Sequence, residues 1–147
     1  MHVAQFNISR ERNPLDHPDM ADFVRRLDVV NAAADGWAGF VWRLHDESGN
    51  ATAIRAFEDK TIIFNLSVWR SVPELKEFVY RSSHYDVLKR RLEWFHRIVE
   101  PSYVLWLVDD DHRPSVDEAK QRLAHLREHG PSDHAFTFDS VPGGSVP

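Results

Sequence analysis

His84 is the side chain whose type and setting suit chemistry best. It follows a Ser82-Ser83 break and has Tyr80, Arg81, Tyr85 and Arg91 close by in the chain. Imidazole changes charge near neutral pH, so a His at the mouth of a pocket can move a proton or act as a ligand. The structural alternative is that His84 caps the helix it opens or hydrogen-bonds its own backbone. Trp69, Trp94, Phe95 and His96 offer aromatic surface to a ligand, although rings at helical spacing also fill cores and interfaces. Asn7, Asn65 and Ser67 are polar residues on otherwise apolar strands, and strand period puts Asn65 and Ser67 on the face of Ile63 and Trp69. Such a face lines a cavity, or its amides bond within the sheet. Arg81, Lys89, Arg90 and Arg91 form a basic patch for a carboxylate, or the solvated side of a helix paired with Glu77, Asp86 and Glu93. Candidate catalytic residues are therefore His84, Asn65 and Trp69. Candidate substrate contacts are Tyr80, Asn7, Trp94 and Arg91.

Familiar signatures are missing. The nine His form no His-Glu-x-x-His or His-x-His pair, and His125 and His129, four apart near a helix end, suit the helix dipole as well as a metal. No Gly-x-Gly-x-x-Gly, Walker loop or Gly-x-Ser-x-Gly occurs. There is no cysteine, which removes disulfides, thiolate nucleophiles and Cys-ligated metals. With 147 residues, a formal net charge of -5, and acidic and basic residues intermixed, the chain is expected to bind no nucleic acid. No apolar run reaches membrane-spanning length, and the start Met1-His2-Val3-Ala4 has no basic leader, so a soluble cytoplasmic protein is expected.

These side chains need a scaffold, and the periodicities supply one. Residues 3–8 alternate as a strand, and Met20, Phe23, Val24, Leu27, Val30 and Ala34 recur at helical spacing between Pro18 and Gly36. A second strand is expected over 39–44, a weaker hairpin arm over 53–57 after the 46–50 turn, and the strongest strand over 61–69. Ser71-Val72-Pro73-Glu74 and Ser115-Val116-Asp117-Glu118 both have capping-box form. The first opens a helix that breaks at Ser82-Ser83 and resumes over 84–99. The second opens a helix ending near Gly130. A strand over 103–108 lies between them, and residues 135–138 suit a short edge strand. The order β-α-β-β-α-β plus a helix predicts an α+β, ferredoxin-like split βαβ antiparallel sheet. It forms one domain over 1–140, with a flexible tail over 141–147.

The stretch from Leu66-Ser67-Val68-Trp69-Arg70-Ser71-Val72-Pro73-Glu74 to His84, continued by Leu88-Lys89-Arg90-Arg91-Leu92-Glu93-Trp94-Phe95, resembles the bacterial DUF3291 family over about residues 3–107. That family is similar to the dimeric α/β-barrel superfamily of antibiotic-biosynthesis and haem-degrading monooxygenases and chlorite dismutases. The resemblance implies the fold, with helices on one face, and a homodimer through the other. Trp42, Leu66, Val68, Val104 and Trp106 are the interface candidates. In haem-binding members a helix-borne His ligates iron, a role that would fall to His84. In cofactor-independent monooxygenases Asn and Trp hold an aromatic substrate, a role that would fall to Asn65 and Trp69. No reaction follows from the resemblance, because fold does not fix chemistry. Three readings stand: a monooxygenase-like enzyme acting, with no cofactor required, on a small hydrophobic or aromatic molecule; a haem-binding protein; and a non-catalytic small-molecule-binding dimer. The first expects Tyr80, His84, Trp69 and Asn65 to converge on a cavity between sheet and helices.

Overall fold

The computed structural model describes residues 1–46, 51–52 and 54–143. Its sheet is built around one strand, β1 (His2–Glu11), which pairs on both sides. On one side lies β3 (Ile62–Trp69), in register from Val3↔Trp69 to Arg10↔Ile62. On the other lies β5 (Tyr103–Val108), from His2↔Val108 to Asn7↔Tyr103. The edge strand β2 (Phe40–Arg43) pairs with β3, and the two-residue β4 (Phe95–His96) extends the β5 side at Arg10↔His96 and Glu11↔Phe95. Every pairing is antiparallel, and the order β2-β3-β1-β5 is that of a ferredoxin-like α+β fold.

Strand period gives this sheet two faces of different character. One carries Ala4, Phe6, Ile8, Phe64, Leu66, Val68, Val104, Trp106 and Val108, all buried. The other carries Val3, Gln5, Asn7, Ile63, Asn65, Ser67, Trp69 and Leu105. Over this second face lie α1 (Ala21–Asp35), which follows a 3-10 turn at Pro18–Met20, and α2 (Val72–Arg81). They contribute Val30, Ala34, Leu75 and Phe78. Ser71 starts α2 by accepting from the Glu74 N–H at 3.3 Å while its hydroxyl donates to Glu74 Oε1 at 3.0 Å. Gly39 sits beside this cap with φ 89, and a Cβ there would lie 2.3 Å from Glu74 Oε2, so only glycine fits the turn into β2.

The first face does not wait for a second copy. Helix α5 (Val116–His129), capped by Ser115 Oγ accepting from the Glu118 N–H, lays Ala119, Leu123 and Leu126 on it. Trp106 Nε1–H donates to Glu118 Oε2 at 2.8 Å, and His112 Nε2 sits 2.7 Å from Oε1. Lys120 Nζ donates to the Ala56 carbonyl and lies 4.8 Å from the Phe57 ring centroid, drawing residues 54–57 over the same face. The two helices of the split βαβ core thus share one face, and α5 covers the other. Leu66, Val68, Val104 and Trp106, expected at a face-to-face dimer, are fully buried within one chain, and Trp42 is half-buried beside them.

Three expected elements differ. The helix expected over 84–99 is cut into α3 (His84–Lys89), α4 (Arg91–Trp94) and the strand β4. Strand β1 extends past the end of β5 and offers unpaired main-chain groups there. Arg12 N–H takes the Trp94 carbonyl at 2.8 Å, and Phe95 turns extended to pair. Consecutive Trp94 and Phe95 are then both buried against Phe23, with ring centroids 5.5 and 4.9 Å away, whereas Leu92 and Val99 face outward. The hairpin arm over 53–57 forms no strand among its described residues, and positions 47–50 of the preceding turn lie outside them. The edge strand over 135–138 reduces to a single bridge, in which Leu105 and Phe136 exchange bonds of 2.8 and 2.9 Å. No helix among the described residues is long and apolar enough to cross a membrane.

If α5 is integral to the core, Leu123→Ala leaves a cavity and lowers the urea unfolding free energy by about 2–5 kcal/mol. Glu118→Leu strips the buried Trp106 indole of its acceptor and costs about 1–3 kcal/mol. A face that α5 did not cover would show neither loss.

Candidate functional site

The second sheet face is apolar at its ends and polar in the middle, and the helices do not fill the space above it. A cavity of about 620 Å³ lies between β1, β3 and β5 beneath and α1, α2 and α3 above. That volume is in the range of small-molecule sites. Gln5, Asn7, Asn65 and Ser67 form its floor; Trp69, Phe78, Phe23 and Leu27 are among its apolar walls; Asn31 faces it from α1.

The floor is wired together. Gln5 Nε2 donates to Asn65 Oδ1 and, at 2.7 Å, to Ser67 Oγ, and Trp69 Nε1–H donates to the same hydroxyl at 2.9 Å. This orients the Trp69 ring, which Phe40 meets edge-on at 5.4 Å and Phe78 overlies at 4.9 Å. Phe78 in turn touches Trp37 at 5.6 Å and the His84 imidazole at 5.5 Å. A continuous run of rings therefore joins the floor to His84.

His84 sits where it does because Ser82 ends one helix and starts the next. Ser82 Oγ donates to the Phe78 carbonyl at 2.6 Å and accepts from the His84 N–H at 3.0 Å. The ring turns inward and Nδ1–H donates to the Val79 carbonyl at 3.1 Å. That bond fixes the tautomer, leaving Nε2 as a lone-pair acceptor with no hydrogen bond among the described residues. Burial lowers the His84 pKa below its ordinary 6.5, outweighing the carbonyl bond that raises it, so the neutral imidazole is the form at pH 7.

Of the side chains singled out from sequence, Asn7, Asn65, Trp69, Tyr80, His84 and Arg91 all line the cavity. Tyr80 stands at the rim, 44% exposed, with its ring 6.1 Å from Phe138. Arg91, also exposed, is held there by Nη1 donating to the Leu88 carbonyl. Trp94 is not a cavity residue. The chain turns into β4 directly after it, and its ring packs on Phe23 with the Arg90 guanidinium 4.9 Å away. The basic patch divides likewise: Arg90 pairs with Glu93 at 2.7 Å and Asp22 at 3.1 Å, Lys89 with Asp86 at 3.6 Å, and only Arg91 of the four reaches the cavity. His125 and His129 have ring centroids 4.5 Å apart, but no group that could hold a metal occurs among the described residues.

Sequence reasoning missed Gln5, Asn31, Phe78 and Arg43. Gln5 shares the polar side of β1, which reads as solvent-facing when taken alone. Asn31 had a visible signal, an amide set in the stripe of Leu27, Val30 and Ala34. Arg43 reaches the cavity wall with its charge engaged: Nε donates to Asp35 at 2.7 Å, and that bond holds the Asp35 carboxyl below its usual pKa.

A comparison with curated proteins finds no match. A solved structure described as a candidate antibiotic biosynthesis monooxygenase from Chloroflexus aurantiacus J-10-fl is similar to the chain at 13% identity and a TM-score of 0.48, over 77% of this chain and 98% of that one. The model of a family described as a domain of unknown function, DUF3291, matches residues 2–144.

Because the folded pKa of His84 lies below its unfolded value, protons bind the unfolded chain more readily. The His84 contribution to stability is therefore complete above about pH 6.5 and is lost as pH falls through the folded pKa. NMR titration is expected to give a His84 midpoint below 6.5, with the proton on Nδ1. His84→Gln should flatten the acid limb of the stability profile by the same amount. A midpoint at or above 6.5 would contradict the burial argument.

Proposed function

The chain belongs to the DUF3291 family, and from the site described above we propose that it takes a small, largely apolar ring molecule into the cavity, with His84 as the group that accepts a proton from it. The observation that carries this reading is a neutral imidazole whose Nδ1–H is occupied by Val79 and whose Nε2 is left free at the wall of an apolar cavity. An imidazole that is uncharged at pH 7 and keeps a free nitrogen at the cavity wall suits general-base catalysis. Trp69 and Phe78 hold the ring faces, Asn7 and Asn65 orient the polar end, and Tyr80 and Arg91 guard the rim.

The reaction class we favour is monooxygenase-like, with dioxygen as co-substrate. A ring CH2 gives up both hydrogens, one oxygen atom enters as the carbonyl, and the other leaves as water. The base form of His84 starts the sequence, so turnover rises with pH through the folded pKa and then levels. Pairing of two copies across the α5-covered face has no part in this reading, because Leu66, Val68, Val104 and Trp106 are already buried beneath α5 within one chain.

A second reading uses the same nitrogen. A His that donates Nδ1–H to a backbone carbonyl is oriented as metal-ligating histidines commonly are, and Arg91 at the rim suits a haem propionate. When bound, haem would supply the oxygen chemistry itself, and His84 and Arg91 would hold it.

His84→Ala separates these readings from a structural role. Loss of oxygen uptake across a panel of bicyclic phenols and ketones, with a stability change within about 1 kcal/mol, supports the base. Titration with haemin, followed by absorbance, supports the haem reading if an intense violet band shifts in the wild type and not in the variant. A large fall in melting temperature with unchanged uptake would show that His84 serves packing alone.

A further inference from the structure

The floor of the cavity carries more specificity than an apolar pocket needs, and its hydrogen-bond accounting narrows the ligand. Gln5 and Ser67 face each other across the β1–β3 ladder, and Asn65 lies diagonally, opposite Asn7. With Gln5 Nε2 committed to Asn65 Oδ1 and Ser67 Oγ, this pair of amides keeps Gln5 Oε1, an acceptor, and Asn65 Nδ2, a donor, and the Asn7 amide beside them makes no side-chain hydrogen bond among the described residues. Turning both amides over exchanges the roles: Ser67 and Asn65 then donate to Gln5, leaving a Gln5 donor and an Asn65 acceptor. Either arrangement leaves the Gln5–Asn65 pair with one donor and one acceptor.

These atoms are not sealed away. Among the described residues, the fully enclosed side-chain polar atoms without a partner are His2 Nδ1 and Ser83 Oγ. The spare amide atoms of Gln5 and Asn65 are therefore in contact with the open space of the cavity that both residues line. Among the described residues, no unpaired charge lies at the floor beside them. Arg43, the cation in the inner wall, is bonded to Asp35, and Arg91 lies at the rim. A buried carboxylate would have no counter-charge at the floor, whereas a neutral group with its own donor and acceptor would satisfy both amides.

Resting on the reading of this cavity as a small-molecule site, we infer that the buried end of the ligand is an uncharged cyclic amide or equivalent edge, with an N–H and a carbonyl on adjacent ring atoms, read by Gln5 and Asn65. The ring behind that edge lies against Trp69 and Phe78. A site built to bond a polar edge discriminates strongly against analogues that lack it, because its own buried groups are then stranded.

Isothermal titration of the full chain with 2-quinolone, N-methyl-2-quinolone, quinoline and quinoline-2-carboxylate tests the inference. The expected result is that 2-quinolone binds at least about tenfold more tightly than each of the other three. Asn65→Leu should bring 2-quinolone, its N-methyl derivative and quinoline to similar affinity. Gln5→Met repeats the test should Asn65→Leu fail to fold, with circular dichroism as the check. Equal binding of 2-quinolone and quinoline to the wild type overturns the inference while leaving the small-molecule site standing. Preference for the carboxylate, or for the N-methyl compound, likewise overturns it. Absence of binding by all four overturns the inference and counts against the cavity reading itself.

Discussion

The rest of the structure depends on the double pairing of β1. As the central strand it exchanges main-chain bonds with β3 and β5, and its side chains alternate between two faces that must be covered by different means. Ala4, Phe6 and Ile8 require a close-packed apolar lid, which α5 supplies. Gln5 and Asn7 cannot be packed under apolar helices without stranding their amides. The layer of α1, α2 and α3 therefore leaves space above them, and that space is the cavity. Core and cavity are two outcomes of one strand's period.

Much of the scaffold was legible because local signals agreed with the global fold. Ser71 and Ser115 cap the helices their motifs announced, and the apolar stripe of α5 at Ala119, Leu123 and Leu126 is the one its spacing describes. The destination of α5 was not legible, since an amphipathic stripe does not say which surface it covers. The helix expected over 84–99 failed for a related reason. Leu88, Leu92, Phe95 and Val99 fit helical period, but the overhanging end of β1 competes for the same main-chain groups, and Phe95 and His96 go to the strand. Tertiary pairing outweighed local periodicity there.

The site was legible in part. His84 stood out by its place after Ser82-Ser83, and Asn65 by its polarity within the strongest strand. Trp94 belonged to the same aromatic signal as Trp69, yet the chain reversal after it sends its ring toward Phe23. Gln5 was hidden because a polar residue on a strand normally marks the solvent side, and its burial beneath helices follows only from the three-dimensional layering.

Helix α3 adds a consequence for how the cavity exchanges its contents. It has six residues and no fully buried side chain, so lifting it exposes little apolar area and costs only a fraction of global unfolding. Val87 and Leu88 would move with it and clear a way in. His84, although the first residue of α3, is anchored to α2 through the Val79 carbonyl, the Phe78 ring and Ser82. The moving wall and the free imidazole nitrogen are thus mechanically separate: local fraying would open the cavity while the ring keeps its orientation.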